Sequence, residues 1–374
     1  MASLAVRNLF HDKVRLAVTL TGIIFAVVLV AVQTGLFLGF TTTTSNVIDN
    51  SGADFWVMSK GVKYIEVGVP FSEKKLYHAR AVPGVAEAQK YIVRFGQWKR
   101  ADGGNASCEV IGFDPDSHMG GPWNLSEGEV SSLKLPDTVI VDRLYAQKLG
   151  VTHVGETVEI RNVRARVVGF TDGVRTFTTS PLVFTSFKNA LRYTALDSDQ
   201  MVYMLIKAAP GANRERLQAD LLARIADVDV WPTARFSSMT TSYWMFGTGA
   251  GVTVIMAAVL GLLVGVVVVA QTIYAATIDH IREFGTLKAM GATNGYIYRI
   301  ILRQATIAAV IGYGVGIVFA SMAALSSRHG GANILLPVSV RVGLFGLTLV
   351  MCLSAAMVSI NKVTKIDPAM VFKG

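Results

Sequence analysis

Residues Phe236 to Ile278 read FSSMTTSYWMFGTGAGVTVIMAAVLGLLVGVVVVAQTIYAATI, 43 positions without a charged side chain. A helix crosses the hydrocarbon core with about 20 apolar residues, so this run suffices for a crossing and an extension beyond it. The serines and threonines at its start, with Tyr243 and Trp244, read as a polar, uncharged stalk entering the membrane at an aromatic belt. The expectation is one continuous helix that leaves the bilayer and runs on into a folded domain.

Three other charge-free windows accompany it: Leu16 to Ile48, Gln304 to Ser327 and Val342 to Asn361, of 33, 24 and 20 residues. Each can hold one crossing, and four such runs are too many and too long for buried core helices. The composition agrees, with 52% hydrophobic and 16% charged residues and a mean hydropathy of +0.45. These values exclude an ordinary soluble protein, and two cysteines exclude a disulfide scaffold. The expected fold class is a membrane protein with four transmembrane α-helices, one plus three, and a large α+β extracytoplasmic domain inserted between helices one and two.

The segments this implies are an N-terminal amphipathic stretch at 1–15, helix one at 16–40, the external domain with its stalk at 41–246 and helix two at 247–276. A connecting loop at 277–296, helix three at 297–325, a short external loop at 326–341, helix four at 342–360 and a tail at 361–374 complete the chain. The domain between Thr41 and Phe246 has 23 basic and 22 acidic residues, so only +1 of the net charge of +9 lies there. Most of the rest flanks the helices on one side: Arg7, Lys13, Arg15, Arg282, Lys288, Arg299, Arg303, Lys362, Lys365 and Lys373, against Arg328 and Arg341 on the other. The positive-inside rule then puts both termini and the 277–296 loop in the cytoplasm of a bacterial inner membrane, and the domain outside. Nucleic acid loses its support as a partner.

Within the domain, Tyr91–Phe95, Glu109–Phe113 and Met201–Ile206 read as strands, and Thr157–Phe170 as a hairpin turning near Asn162. Asn213–Ala226 has helical spacing, and Val141–Leu149 reads as a shorter helix. No catalytic residue and no metal site are expected. The six histidines are scattered, Cys108 lies in the domain and Cys352 in helix four, and Asp114 and Asp116 follow a strand end where turns recruit aspartate. Arg161, Arg164, Arg166 and Arg175 could receive an acidic partner or a lipid headgroup, and read more simply as a solvated face.

The connecting loop carries the most information. Ile278, Ile281, Phe284 and Leu287 are spaced for one helix face, with Asp279, Arg282, Glu283 and Lys288 between them. Gly291 can end that helix, and Thr293 or Asn294 can cap the next. Without further information this is an amphipathic loop lying on lipid headgroups. The run Arg282-Glu283-Phe284-Gly285-x-Leu287-Lys288-Ala289-x-Gly291-Ala292 resembles, however, the signature loop of the FtsX/MacB superfamily of ABC-transporter permeases. The resemblance extends to Asn8-Leu9, to Arg15 through Ile23, and to Ile366-Asp367-Pro368-Ala369. Within the superfamily the chain is most similar to the DevC branch, through Phe95-Gly96-Gln97-Trp98, Ile111-Gly112-Phe113-Asp114-Pro115, Ser242-Tyr243-Trp244 and the Lys288-Ala289-Met290-Gly291 turn.

The resemblance implies a non-catalytic permease that works as a homodimer. A separate ABC ATPase subunit, holding ATP and Mg2+, would dock on a coupling loop made of Asp279, Arg282, Glu283, Phe284, Gly285, Leu287, Lys288, Ala289 and Gly291. No cofactor is expected on this chain, and no G-x-x-x-x-G-K-S/T phosphate cradle occurs in it. DevC-like systems imply a periplasmic adaptor (membrane fusion) protein, an outer-membrane channel and an amphiphilic, lipid-like substrate. An FtsX-like activator of an external cell-wall hydrolase, or a permease extracting lipoproteins or haem, are the alternatives. The pairs Gly247/Gly251, Gly261/Gly265 and Gly312/Gly316 are small-xxx-small spacings expected at helix packing contacts.

Overall fold

The structure, a computed structural model, describes residues 13–279, 281–327 and 333–364. Arg7, Asn8, Leu9, His280, Arg328 and the Ile366–Ala369 run lie outside the described residues. Among the described residues, four helices are long and apolar enough to span a bilayer: α1 (Lys13–Thr44), α8 (Ala250–Asp279), α10 (Asn294–Ser327) and α11 (Val338–Thr364). Each begins or ends a few residues beyond its expected bounds, because the flanking polar residues continue the helical hydrogen bonding. The chain divides into two units, one built from residues up to Gly39 and from Val252 onward, the other from Phe40–Gly251.

In the membrane unit, Ile23, Ala26, Val27, Val30 and Ala31 of α1 are buried. They are gripped at glycines. A Cβ on Gly312 of α10 would lie 2.5 Å from Ile23 Cγ2, and one on Gly316 would lie 2.8 Å from Val27 Cβ. From α8, a Cβ on Gly261 would approach Gln33 Cγ to 3.0 Å, and one on Gly265 would approach Val30 Cγ2 to 3.1 Å. Hydroxyls on these helices are satisfied by their own backbone: Thr272 donates to Val268 O at 2.6 Å, Thr277 to Ile273 O at 2.8 Å and Thr348 to Leu344 O at 2.8 Å. With no water to bond, that arrangement removes the cost of a polar group in hydrocarbon.

The second unit contains the helices α2 (Asn46–Asp49), α3 (Lys75–Arg80), α4 (Ala146–Leu149), α5 (Phe187–Thr194), α6 (Arg214–Arg224) and α7 (Thr233–Ser242). Its strands are β1 (Phe55–Ser59), β2 (Phe71–Ser72), β3 (Val85–Lys99), β4 (Asn105–Phe113), β5 (Leu125–Glu127) and β6 (Thr138–Asp142). The remaining strands are β7 (Thr157–Ile160), β8 (Val163–Thr171), β9 (Leu182–Ser186), β10 (Gln200–Met201), β11 (Tyr203–Ala208) and β12 (Val228–Pro232). One mixed sheet runs in the order β12-β1-β11-β3-β4-β9-β6-β8-β5, with β7 bridging β3 and β8. The pairs β4/β9 and β6/β8 are parallel. Strands β2 and β10 form a small second sheet.

The β7–β8 hairpin turns at Arg161 and Asn162, whose φ angles of 49° and 62° are those of a two-residue type I′ turn. Its strands twist onward as that turn requires. The helix expected at Val141–Leu149 is shorter: Val141 and Asp142 belong to β6, and helical structure starts only at Arg143. Asp142 explains the boundary. Its carboxylate accepts from Leu144 N at 2.9 Å, Thr171 Oγ1 at 2.7 Å and Val174 N at 2.7 Å, which ties the chain into a turn. The core centres on Trp56, edge-on to Tyr91 at 5.4 Å and to Tyr203 at 5.3 Å and tilted against Phe236 at 5.4 Å. Trp98, fully buried, donates Nε1–H to Leu149 O at 3.0 Å.

Two predictions follow the packing. Gly312→Ala forces α1 and α10 apart and lowers stability by roughly 1–3 kcal/mol, read by thermal unfolding in detergent. Gly314→Ala, with nothing within 4 Å of its Cβ position, is neutral or stabilising by up to about 1 kcal/mol. Cys108 is fully buried, and burial pushes its thiol up to about 12. It therefore stays unlabelled by maleimide in native protein and reacts only after denaturation, so membrane sidedness must be read from a cysteine introduced on the surface.

Candidate coupling site

Between α8 and α10 lies the nine-residue helix α9 (Ile281–Ala289). Its end is closed by a Schellman arrangement: Ala292 N donates to Leu287 O at 3.0 Å and Gly291 N to Lys288 O at 3.0 Å. Gly291 has a φ of 92°, the left-handed conformation that such a cap demands. The following helix starts at Asn294, with Tyr296 N donating to Thr293 O at 3.0 Å. Thr293 therefore occupies the N-cap position of α10.

Gly285 is buried and Leu287 packs, half-buried, against the membrane core, whereas Glu283, Thr286 and Ala289 are exposed. The inward face is therefore centred on Gly285 and Leu287, with Ile281 and Lys288 half-buried at its margins. The side chains of Arg282 and Phe284 lie outside the described residues. Asp279, the last residue of α8, lines a groove of about 330 Å³ with Val14, Val18 and Thr19 of α1 and with Gln271 and Thr272 of α8. An exposed carboxylate on a short helix anchored by a small buried residue can accept a cationic partner without leaving its seat.

The stalk departs from expectation. Helix α7 passes at Ser242 into a π-helical segment, Tyr243–Gly247, and helical structure stops at Thr248 and Gly249 before α8 begins at Ala250. Gly249 has a φ of 77°, which a continuing helix cannot contain. Thr248 donates to Trp244 O at 3.0 Å and accepts from Ala250 N at 3.2 Å, closing one helix and capping the next. The pair Gly247/Gly251 is consequently split between the π-helical segment and α8. A Cβ at Gly247 would meet the ring of Tyr243 at 3.1 Å, and one at Gly251 would strike Met245, both within the break.

Nor do Tyr243 and Trp244 present themselves as an open belt. Tyr243 stacks on Tyr64 at 3.8 Å, and Trp244 packs against Phe177 at 4.9 Å, leaving Phe246, 68% exposed, as the outward aromatic. The four arginines do not form one cluster: Arg161, Arg164 and Arg166 are exposed, but Arg175 is buried. Asp114 accepts from Asp116 N at 3.1 Å in a turn, as an aspartate after a strand does. Among the described residues, no group of three or more His, Cys, Asp or Glu could hold a metal ion. The half-buried Glu66 and the buried Glu109 escaped the sequence reading. Burial, aided by the charge of Glu66, raises Glu109 of β4 to about 8, and burial raises Glu66 to about 7. Their only sequence signal was an acidic residue inside an apolar strand and beside an apolar turn.

A short capped helix between two membrane helices, with a domain inserted after the first crossing, matches known families along most of the chain. A family model of the MacB-like periplasmic core domain matches residues 16–224, and one of the FtsX-like permease C-terminal region matches residues 255–368. The chain belongs to the FtsX/MacB superfamily of ABC-transporter permeases. An uncharacterized ABC transporter permease of Mycobacterium tuberculosis is 26% identical over 380 residues, covering 99% of both chains. Another, from Mycobacterium bovis, is 25% identical over 382 residues, again covering 99% of both. Among solved structures, the periplasmic region of MacB from Actinobacillus actinomycetemcomitans gives a TM-score of 0.39 at 10% identity, covering 51% of this chain and 94% of that one. The extracellular domain of the transporter YknZ from Gram-positive bacteria gives 0.35 at 11%, covering 48% and 98%. The four spanning helices of this permease make it a multi-pass membrane protein, with its α/β domain external.

The cap supplies a prediction. Gly291→Ala meets no neighbour within 4 Å, so its cost is that of the left-handed backbone alone, about 1 kcal/mol. Amide exchange at Gly291 and Ala292 should accelerate severalfold in the variant, and exchange in the middle of α10 should not change.

Proposed function

We propose that this permease is the membrane subunit of an ATP-driven exporter of the DevC type. A separate ABC ATPase subunit binds α9 and hydrolyses ATP with Mg2+, and this chain takes no catalytic part. The observation that carries the reading is α9 itself: its Gly285–Leu287 face is seated on the membrane core, and Glu283 faces outward. A displacement applied at Glu283 would pass into α8 and α10 through residues that are already packed. This reading puts both termini and α9 in the cytoplasm of the inner membrane, in keeping with the charge asymmetry of the sequence.

The permease would act as a homodimer. Helix α8 leaves Met256, Val259, Leu260, Leu263 and Val267 at least 50% exposed in a single chain, an apolar face that a second copy or lipid can cover. The cargo we infer is an amphiphile, such as a glycolipid, handed on with a periplasmic adaptor protein and an outer-membrane channel. The described residues of the spanning windows place no buried Asp, Glu, Lys or Arg in the membrane core, which argues against an ion-coupled pathway.

Glu283→Lys tests the assignment. The variant should fold and insert normally but lose, by about tenfold or more, the permease-dependent stimulation of ATP hydrolysis in liposomes. A variant that binds the ATPase and exports as before would remove α9 from the docking site. Stimulation that needs a soluble cell-wall hydrolase, and no transported lipid, would instead favour an FtsX-like signalling role.

A further inference from the structure

One small turn of the external domain meets the stalk at Tyr243 and Trp244. Tyr64, Ile65 and Glu66 follow β1, and Ile65–Val67 form a single 3-10 turn. Tyr203 of β11 fixes this turn to the sheet, donating its hydroxyl to Ile65 O at 2.6 Å. From the other side, Trp244 of the π-helical segment donates Nε1–H to Glu66 Oε2 at 3.3 Å. Tyr64 lies flat on Tyr243, with ring centres 3.8 Å apart and planes 9° from parallel, and edge-on to Trp244 at 5.7 Å. Phe177 closes the cluster between Trp244 at 4.9 Å and Phe40 at 4.5 Å. Four residues beyond Trp244 the helix is broken at Thr248 and Gly249, and nothing lies within 4 Å of a Cβ built on Gly249.

We propose that the Tyr64–Glu66 turn is a proton-operated latch on the stalk, closed on Trp244 while Glu66 is neutral and released when Glu66 ionises. Geometry supplies three parts of the device: a carboxyl aimed at a side chain of the stalk, a turn anchored to the sheet, and a non-helical link next to the held segment. A carboxyl in this place carries a penalty for charge, because burial outweighs the hydrogen bonds from Trp244 and from the backbone and lifts Glu66 to about 7. The other titratable groups around it work in the same direction. Glu109 of β4 is 1% exposed and lies close enough to feel the charge on Glu66. Tyr64 of the same turn is made harder to ionise by its hydrogen bond with Tyr243 and by burial, and Tyr203 of β11 and Tyr91 of β3 chiefly by burial; the charge of Glu66 adds to this at Tyr64 and Tyr203, and that of Glu109 at Tyr91. Tyr243, stacked on Tyr64, completes the set. A negative charge placed on Glu66 therefore meets acids and phenols rather than a cation.

The sign follows from the raised value. With the turn released, the carboxyl returns towards its ordinary value of 4.5. Below that pH both states hold the proton, and the latch has its full closing strength. Between there and about 7 the released state is ionised while the closed state still binds a proton, so release gains roughly tenfold per pH unit. Above about 7 both states are ionised and the gain levels off, at a total on the order of a hundredfold.

The test uses the full chain in lipid nanodiscs. The difference in tryptophan emission between the parent protein and Trp244→Phe reports Trp244 alone. Acrylamide quenching of that difference signal should rise severalfold between pH 5 and pH 8. Glu66→Gln keeps the shape and an acceptor for Trp244 but cannot ionise, and should hold quenching at its low-pH level throughout. Glu109→Gln should retain the rise. The latch is overturned if the parent shows no change over this range, if Glu66→Gln changes as the parent does, or if Glu109→Gln abolishes the rise, which would transfer the titration to the strand. Far-ultraviolet circular dichroism at both pH values confirms that each variant remains folded.

Discussion

In hydrocarbon there is no water to squeeze out from between helices, so the membrane unit depends on how closely its helices can touch. Helix α1 is where this constraint is met. Its Ile23 and Val27 fit against Gly312 and Gly316 of α10, and its Val30 and Ala26 against Gly265 of α8. Both glycine pairs clamp the same helix from within one chain. Branched side chains on α1 fill the spaces left by missing ones on its neighbours, and dispersion contacts at that range take over the role that hydrophobic burial has in water. The face of α8 that points away from α1 is free of this duty, which is why it can be lined with exposed valine, leucine and methionine.

Much of this was legible because the signals are strong and local. Four charge-free windows gave the crossings, and Gly291 after an amphipathic run gave the end of α9, since few other residues accept its φ of 92°. Asn162 marked the hairpin, although Arg161 beside it shares the left-handed conformation without being a residue that announces it. What the sequence hid were features set by competition. A run of 43 uncharged residues looks like one helix, but Thr248 can bond both Trp244 O and Ala250 N with its hydroxyl, and that local bonding wins at Gly249. The same holds for Val141, whose apolar neighbours suit a strand or a helix until the bonds of Asp142 decide.

Site residues divide along the same line. The position of Glu283 on the outside of α9 and of Leu287 on the inside could be read from spacing, but the burial of Gly285 could not, because a glycine carries no apolar signal. Gly247 and Gly251 had the spacing of a packing motif, but they fall in different helical segments. Spacing reports only that two small residues share a helix face, and here the helix between them is interrupted. Glu66 and Glu109 were invisible for a different reason. Their significance lies in what covers them, chiefly residues distant in sequence such as Tyr203 and Trp244, and one chain read in order does not bring those together.

The break also moves the question of stiffness. A continuous second helix would carry displacement through its backbone hydrogen bonds, but any displacement of α8 along the chain must cross Thr248 and Gly249, where the regular helix is interrupted and Gly249 has a φ of 77°. The uninterrupted helix is instead α1, helical from Lys13 to Thr44, whose final residue pairs its hydroxyl with Thr241 of α7 at 3.2 Å. The firmness of the stalk then rests on side chains: the Thr44–Thr241 contact, the Tyr64–Tyr243 stack and the carboxyl of Glu66 on Trp244. Backbone helices resist bending at every pH, whereas a connection that includes a half-buried acid has a strength that chemistry can alter. Of those three contacts, only the half-buried carboxyl of Glu66 has been shifted by its surroundings to ionise near neutrality, so the connection that replaces a rigid rod is an adjustable one.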